Sequence, residues 1–220
     1  MKNAAAVLLL SGCFCSASAQ DVFFVGLAGG VSTLSGDARS VVTSASAAVS
    51  LYSPRNGPVL NVFAGAHLHD YVSLQGNYLW NRNTLTLTAS TAGAVTSFYE
   101  QQRGSTQQAV IGDLLVYFRE RRSWVRPYLS VGTGFVHLTS REKRTIAAVG
   151  SPVLPPARFA STDVVLRVAV GIDVALGRGW DFRYSFSETM GANSISDRLS
   201  PTGSSSLKNF KNIFGFVRRL

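Results

Sequence analysis

Apolar residues fall at every second position over eight stretches of this chain, and the alternation breaks between them. A period of two is the side-chain repeat of a β-strand with two unlike faces. Thr162–Leu176 shows it best: Val164, Leu166, Val168, Val170, Ile172, Val174 and Leu176 share one parity, with Arg167, Ala169, Gly171 and Asp173 on the other. Asp21–Ser35 sets Phe23, Val25, Leu27 and Val31 against Gly26, Ala28 and Gly30. Val59–Leu68 sets Leu60, Val62, Ala64, Ala66 and Leu68 against Asn61, Gly65 and His67. Tyr71 to about Thr88 begins with Val72, Leu74, Tyr78 and Trp80 opposite Ser73, Gln75 and Asn77. Its parity inverts over Thr84–Thr88, which predicts either a bulge near Asn81–Asn83 or the edge of a membrane zone there.

The remaining strands repeat the pattern. Gln108–Arg119 puts Val110, Leu114, Val116 and Phe118 opposite Asp113 and Tyr117. Trp124–Leu138 puts Leu129, Val131, Thr133 and Phe135 opposite Ser130, Gly132 and Gly134. From Trp180, Phe182, Tyr184 and Phe186 oppose Asp181, Arg183, Ser185 and Ser187. Ser204–Leu220 closes the series, with Phe210, Phe214, Phe216 and Leu220 opposite Lys211. Connections alternate in length: long over Gly36–Pro58, tight at His69-Asp70, long to about Ser105, short over Glu120–Ser123. The series continues long over Ser140–Ala160, tight over Gly177–Gly179, and shorter near Ser196–Gly203. Short turns on one side and longer loops on the other are the layout of a membrane barrel. Each strand reaches the ~9–11 residues that cross a bilayer at a tilt.

The N-terminus reads as an export leader. Lys2 supplies its charge, Ala4–Leu10 its apolar run and Ala17-Ser18-Ala19 a small-residue cleavage site. Residues 1–19 are then the signal peptide and 20–220 one barrel domain, with both cysteines removed. Leu10-Ser11-Gly12-Cys13 fits a lipobox as well, which would acylate Cys13 instead. Elsewhere no stretch has the ~18 consecutive apolar residues of a membrane helix.

Composition narrows the class. Charged residues make up only 15% of the chain, against about 25% in soluble proteins. The net charge of +9 is dispersed along the strands and loops. It forms no single basic face, which argues against a nucleic-acid partner. The same alternation would suit a soluble barrel with its apolar side turned in. The polar parity, however, is mostly Gly, Ser, Ala and single charges, suited to a narrow interior. Tyr71, Trp80, Phe118, Trp124, Tyr128 and Trp180 stand near strand ends, where a membrane barrel carries its aromatic girdles.

Arg126-Pro127-Tyr128-Leu129-Ser130-Val131-Gly132-Thr133-Gly134-Phe135 resembles the fifth strand of small OmpA-like outer-membrane barrels. Val170-Gly171-Ile172-Asp173, followed by Gly177-Arg178-Gly179-Trp180-Asp181-Phe182-Arg183-Tyr184, resembles that family's hairpin of strands six and seven. Gly215-Phe216-Val217-Arg218-Arg219-Leu220 is similar to the terminal signal read by the barrel-assembly machinery, with Leu220 for the commoner Phe and Arg218 where an apolar residue is expected. The resemblance implies an all-β, eight-stranded, antiparallel up-and-down transmembrane barrel in the outer membrane. It names no activity.

Candidate chemistry follows from the inward parity. Asp113, Arg167, Asp173, Arg183 and Lys211 would share a lumen, where buried charges need partners. Eight strands leave an interior just wide enough for side chains to fill, which favours a plug over a pore. His137, Thr139 and Glu142 invite comparison with an outer-membrane lipid hydrolase, in which imidazole activates a hydroxyl, but nothing in the spacing fixes that geometry. His67 and His69-Asp70 offer no third metal ligand, and the glycine-rich segments lack a phosphate-loop Gly-Lys-Ser/Thr, so no cofactor is expected. Arg141, Lys143, Arg144 and Arg158 would face outward, where lipopolysaccharide phosphates could meet them. The expectation is a monomeric, non-enzymatic barrel with a structural or surface-interaction role; a small nonspecific channel is the alternative, and a lipid hydrolase the next.

Overall fold

The structure, a computed structural model, describes residues 22–36, 40–42, 47–92, 97–148, 154, 156–192 and 206–220. The leader and the Ser196–Gly203 connection lie outside these residues. Among the described residues ten strands form: β1 (Phe23–Gly36), β2 (Ser40–Val42), β3 (Ala47–Pro54), β4 (Gly57–His69), β5 (Val72–Ala92), β6 (Ser97–Tyr117), β7 (Val125–Ala147), β8 (Arg158–Gly177), β9 (Trp180–Ala192) and β10 (Ser206–Arg219). Eight of them close a ring in the order β1-β4-β5-β6-β7-β8-β9-β10, and β10 returns to β1. Every neighbour is antiparallel. Closure removes the unpaired strand edges that an open sheet would present to lipid.

The alternation sorts side chains as a barrel in lipid requires. Leu74, Val110, Phe135, Val164, Val170, Phe214 and Phe216 face outward and are exposed, whereas Asn77, Asp113, Arg167, Arg183 and Lys211 are buried inside. Polar groups withdrawn from water need hydrogen-bond partners, so the filled interior must satisfy itself. At the closing seam the backbones of β1 and β10 come very close. A Cβ built on Gly30 would lie 1.9 Å from the Asn212 carbonyl oxygen, and one on Gly215 would lie 2.1 Å from that of Leu27.

The walls differ in height. β5, β6 and β7 run 21, 21 and 23 residues, against 13 or 14 for β1, β4, β9 and β10. The stretches read as connections before Ser105 and after Ser140 are therefore largely strand. Part of Gly36–Pro58 is strand too: β3 pairs with the far end of β5, from Pro54↔Leu85 to Ala47↔Ala92, and β2 pairs with β3. These extensions rise on the side of the longer connections, the extracellular side of an outer-membrane barrel.

The inverted parity over Thr84–Thr88 has its explanation here. β5 and β6 pair without a register shift from Val72↔Val116 to Thr91↔Ser97, so there is no bulge at Asn81–Asn83. Asn81, Asn83, Leu85 and Leu87 all face inward. What changes is the medium: above the acyl chains the outer face meets water and turns to Thr, while the inner face becomes apolar. Tyr128 corrects another expectation. It is buried in the lumen against Tyr117, with ring centroids 5.4 Å apart, and takes no part in the girdle.

Candidate functional site: a filled lumen and a basic outer rim

Asp173 on β8 stands directly across from Arg183 on β9. Arg183 Nε donates to Asp173 Oδ1 at 2.6 Å and Nη2 to Oδ2 at 2.6 Å, a two-point contact that fixes both groups. Arg183 Nη1 also donates to Gln75 Oε1 at 2.6 Å, and Nη2 to the Tyr117 hydroxyl at 3.0 Å. Tyr117 in turn donates to Asp173 Oδ2 at 3.0 Å. The rings of Phe63 and Tyr128 lie 5.0 and 5.1 Å from the Arg183 guanidinium, within cation–π range.

The second pair spans a strand. Asp113 on β6, Gly132 on β7 and Arg167 on β8 occupy one register row. With no side chain on Gly132, Arg167 reaches across to bond Asp113 Oδ2. A Cβ at Gly132 would sit 1.9 Å from Asp113 Oδ1, so the glycine is the space that the pair occupies. Asn77 Nδ2 donates to Asp113 Oδ2 at 3.0 Å, and Gln75 Nε2 to Asn77 Oδ1 at 2.7 Å, which joins the two ion pairs into one network. Lys211 is buried and donates to Thr189 Oγ1 at 3.0 Å; it has no salt bridge among the described residues.

Above this network lies an amide layer, in which Ser32 donates to Asn209 Oδ1 at 2.7 Å and Asn209 Nδ2 to Gln107 Oε1 at 2.6 Å. Leu85, Leu87, Tyr99, Leu138 and Phe159 then cap the column with an apolar cluster. Arg103 is fully buried at the level of that cap, in register with Leu85, its guanidinium 4.8 Å from the Phe159 ring and its Nε donating to Ser140 Oγ at 2.9 Å. Burial pushes the Tyr99 hydroxyl pKa up and pulls that of Arg103 down, with Glu142 offsetting part of the latter. Arg103 lies in the stretch before Ser105 that the pattern predicts as a connection. Arg126, whose guanidinium lies 3.8 Å over the Tyr117 ring, shares parity with Ser130 and Gly132 and was legible from that alone.

The candidate catalytic and metal-binding residues stay apart. His137 faces outward and its Nδ1 contacts Thr162 Oγ1 at 2.9 Å, not Thr139; Glu142 Oε1 accepts from Thr145. His67 is buried on Ser73 (2.6 Å), while a register shift between His67 and His69 sends His69 outside onto the Tyr71 ring. Among the described residues no three His, Cys, Asp or Glu gather as metal ligands.

On the outer face Trp80, Gln108 and His137 form one row. The next row up is Arg82–Thr106–Thr139, and above it Thr84–Gly104–Arg141–Arg158. Arg141, Lys143, Arg144 and Arg158 are all exposed. Lys143 is the extra residue of a β-bulge: Gln102 pairs with Arg144 and Arg103 with Glu142. A bulge re-aims a side chain. Here it lays Lys143 over Gly104, with Nζ donating to Thr84 Oγ1 at 3.4 Å. Arg82, Arg141 and Lys143 thus line one hollow of about 460 Å³ just above the apolar belt, with Glu142 as its one acidic member; Arg144 and Arg158 lie outside it.

Known proteins match this architecture. The outer-membrane protein OprG of Pseudomonas aeruginosa is 12% identical, with 91% of this chain and 97% of that one covered and a TM-score of 0.50. Neisserial surface protein A is 14% identical over 90% and 97%, with a TM-score of 0.48. Ail, the attachment invasion locus protein of Yersinia pestis, is 9% identical over 91% and 99%, also at 0.48. At such identities the likeness is one of fold. No curated protein matches the sequence. The model of the outer membrane protein β-barrel domain matches residues 5–212, and the chain accordingly belongs to that family of outer-membrane barrels.

Proposed function

We propose that this barrel is a closed, non-enzymatic, monomeric protein of the outer membrane, whose raised wall is a contact surface and whose basic rim meets lipopolysaccharide. Its export leader is cut after Ala19, and β10 is the strand that the barrel-assembly machinery engages. One observation carries the plugged reading: side chains block the axis at successive levels, first the Asp173–Arg183 and Asp113–Arg167 pairs, then the amide layer, then the apolar cap. A pore through this column would need both ion pairs broken inside a low-dielectric interior, and breaking a buried pair costs about 3–5 kcal/mol. The rim reading rests on Arg82, Arg141 and Lys143, three cations gathered at the height where outer-leaflet phosphates lie. The deciding experiment is single-channel recording of the folded protein in planar bilayers. The expected record has no steady openings; a stable conductance level would replace this reading with a small nonspecific channel.

A further inference from the structure

Arg218, which stands where an apolar residue is expected in the terminal strand, is placed at the end of a groove. On the lipid-facing surface Val25, Ala64, Gly76 and Gly112 form one register row across β1, β4, β5 and β6. The row above it is Leu27–Val62–Tyr78–Val110, and the row below is Phe23–Ala66–Leu74–Leu114. A line of small residues between two bulkier lines makes a channel one residue wide. Its floor is open: a Cβ on Gly112 would meet nothing within 4 Å, and one on Gly76 only the Ala64 carbonyl oxygen at 3.9 Å. The open hollow over Val25, Ala64 and Gly76 holds about 1190 Å³ and reaches Trp180, Arg178 and Arg218, and the same row continues beyond it to Gly112.

That end is cationic and built. Val25 pairs with Arg218, and Arg218 with Trp180. The Arg218 guanidinium lies 5.4 Å over the Trp180 ring, and its Nη1 bonds the Arg178 carbonyl oxygen. Arg178 itself sits at φ 53°, between two glycines, in the tight turn joining β8 to β9. A non-glycine residue pays roughly 1–2 kcal/mol for the left-handed region, so the turn carries an arginine where glycine would be easier. Short turns mark the periplasmic side, and these two arginines therefore stand at the headgroup level of the inner leaflet.

The geometry points to a site for one glycerophospholipid of the periplasmic leaflet: its phosphate rests on Arg178 and Arg218, and an acyl chain lies along the groove over Ala64, Gly76 and Gly112. An acyl chain matches an apolar channel one residue wide, and an anionic headgroup matches the paired cations at its mouth. Lipopolysaccharide is excluded as occupant by leaflet, since its phosphates lie at the opposite rim.

Native mass spectrometry of the refolded, delipidated full-length barrel in mild detergent tests this, with palmitoyl-oleoyl phosphatidylglycerol and lipid A titrated separately. The expected result is a one-to-one phosphatidylglycerol adduct, while lipid A, held at the outer rim, gives an adduct that the groove substitutions leave unchanged. Gly76→Leu with Gly112→Leu fills the floor and should weaken that adduct by about tenfold, as should Arg178→Gln with Arg218→Gln, each losing on the order of one good contact. Leu129→Phe, lipid-facing but outside the groove, should leave it unchanged. Should the filled-groove variant fail to show the heat-dependent gel shift of a folded barrel, the two surface arginine substitutions carry the test alone. Equal phosphatidylglycerol adducts across all variants would overturn the site, as would the absence of any phosphatidylglycerol adduct or a lipid A adduct that the groove substitutions weaken. A dimer that disappears on filling the groove would assign it to a second copy of the chain and overturn it too.

Discussion

Asp113 and Arg167 meet through the space that Gly132 leaves, and neither has water to fall back on. Removing one member strands a charge, whereas removing both leaves an apolar contact that is close to neutral. Asp113→Ala should therefore lower stability by about 3–5 kcal/mol, and Asp113→Leu with Arg167→Met should restore most of it. Urea unfolding in lipid vesicles, followed by tryptophan fluorescence, measures both. Equal destabilisation by the single and double variants would show that the pair is not what holds this level of the lumen. Parity alone put Asp113, Arg167, Asp173, Arg183 and Lys211 on the inner face. It could not say who pairs with whom, because Asp113 and Arg167 are two strands apart and meet only through the registers of β6, β7 and β8.

Along the strands, the alternating pattern held wherever one face meets acyl chains. It stopped where both faces leave the membrane. Above Trp80 the outward positions of β5 turn to Arg and Thr and the inward ones to Leu, so the contrast reverses although the strand continues. Arg103 and Tyr99 belong to β6 although the pattern there predicts a connection, for the same reason. The Lys143 bulge was also hidden, since one extra residue against β6 leaves no mark in β7 itself. Its effect is local and testable. Arg82→Gln, Arg141→Gln and Lys143→Gln together should weaken binding of the folded barrel to vesicles containing lipid A by about tenfold or more, because each cation supplies a charge-assisted contact. The same triple change should leave the gel shift on boiling intact. Unchanged lipid A binding, measured by vesicle co-sedimentation at fixed ionic strength, would remove the rim from the account.

For the molecule as a whole, β1 and β10 are the farthest apart of all the pairings in sequence, with Phe24 opposite Arg219. Contacts of such separation form late, because the loop they close carries the largest entropy cost. Gly30→Val or Gly215→Val should permit the other strand pairs but block this one. The expected signature is near-normal β-sheet circular dichroism with loss of the fast-migrating band on unboiled gels. A variant keeping that band would show that the seam tolerates a side chain.

The two seam glycines thus act as a fit gauge. Until they seat, β1 offers a row of free donors and acceptors to any passing strand, including that of another molecule, and such an edge is a template for aggregation. A slip by one residue would turn Lys211 toward the hydrocarbon and Phe210 toward the axis, reversing the sidedness of the last strand throughout. Close approach at Gly30 and Gly215 lets the native alignment form only while both positions carry no side chain, so completion of the cylinder hangs on two residues that contribute no contact of their own.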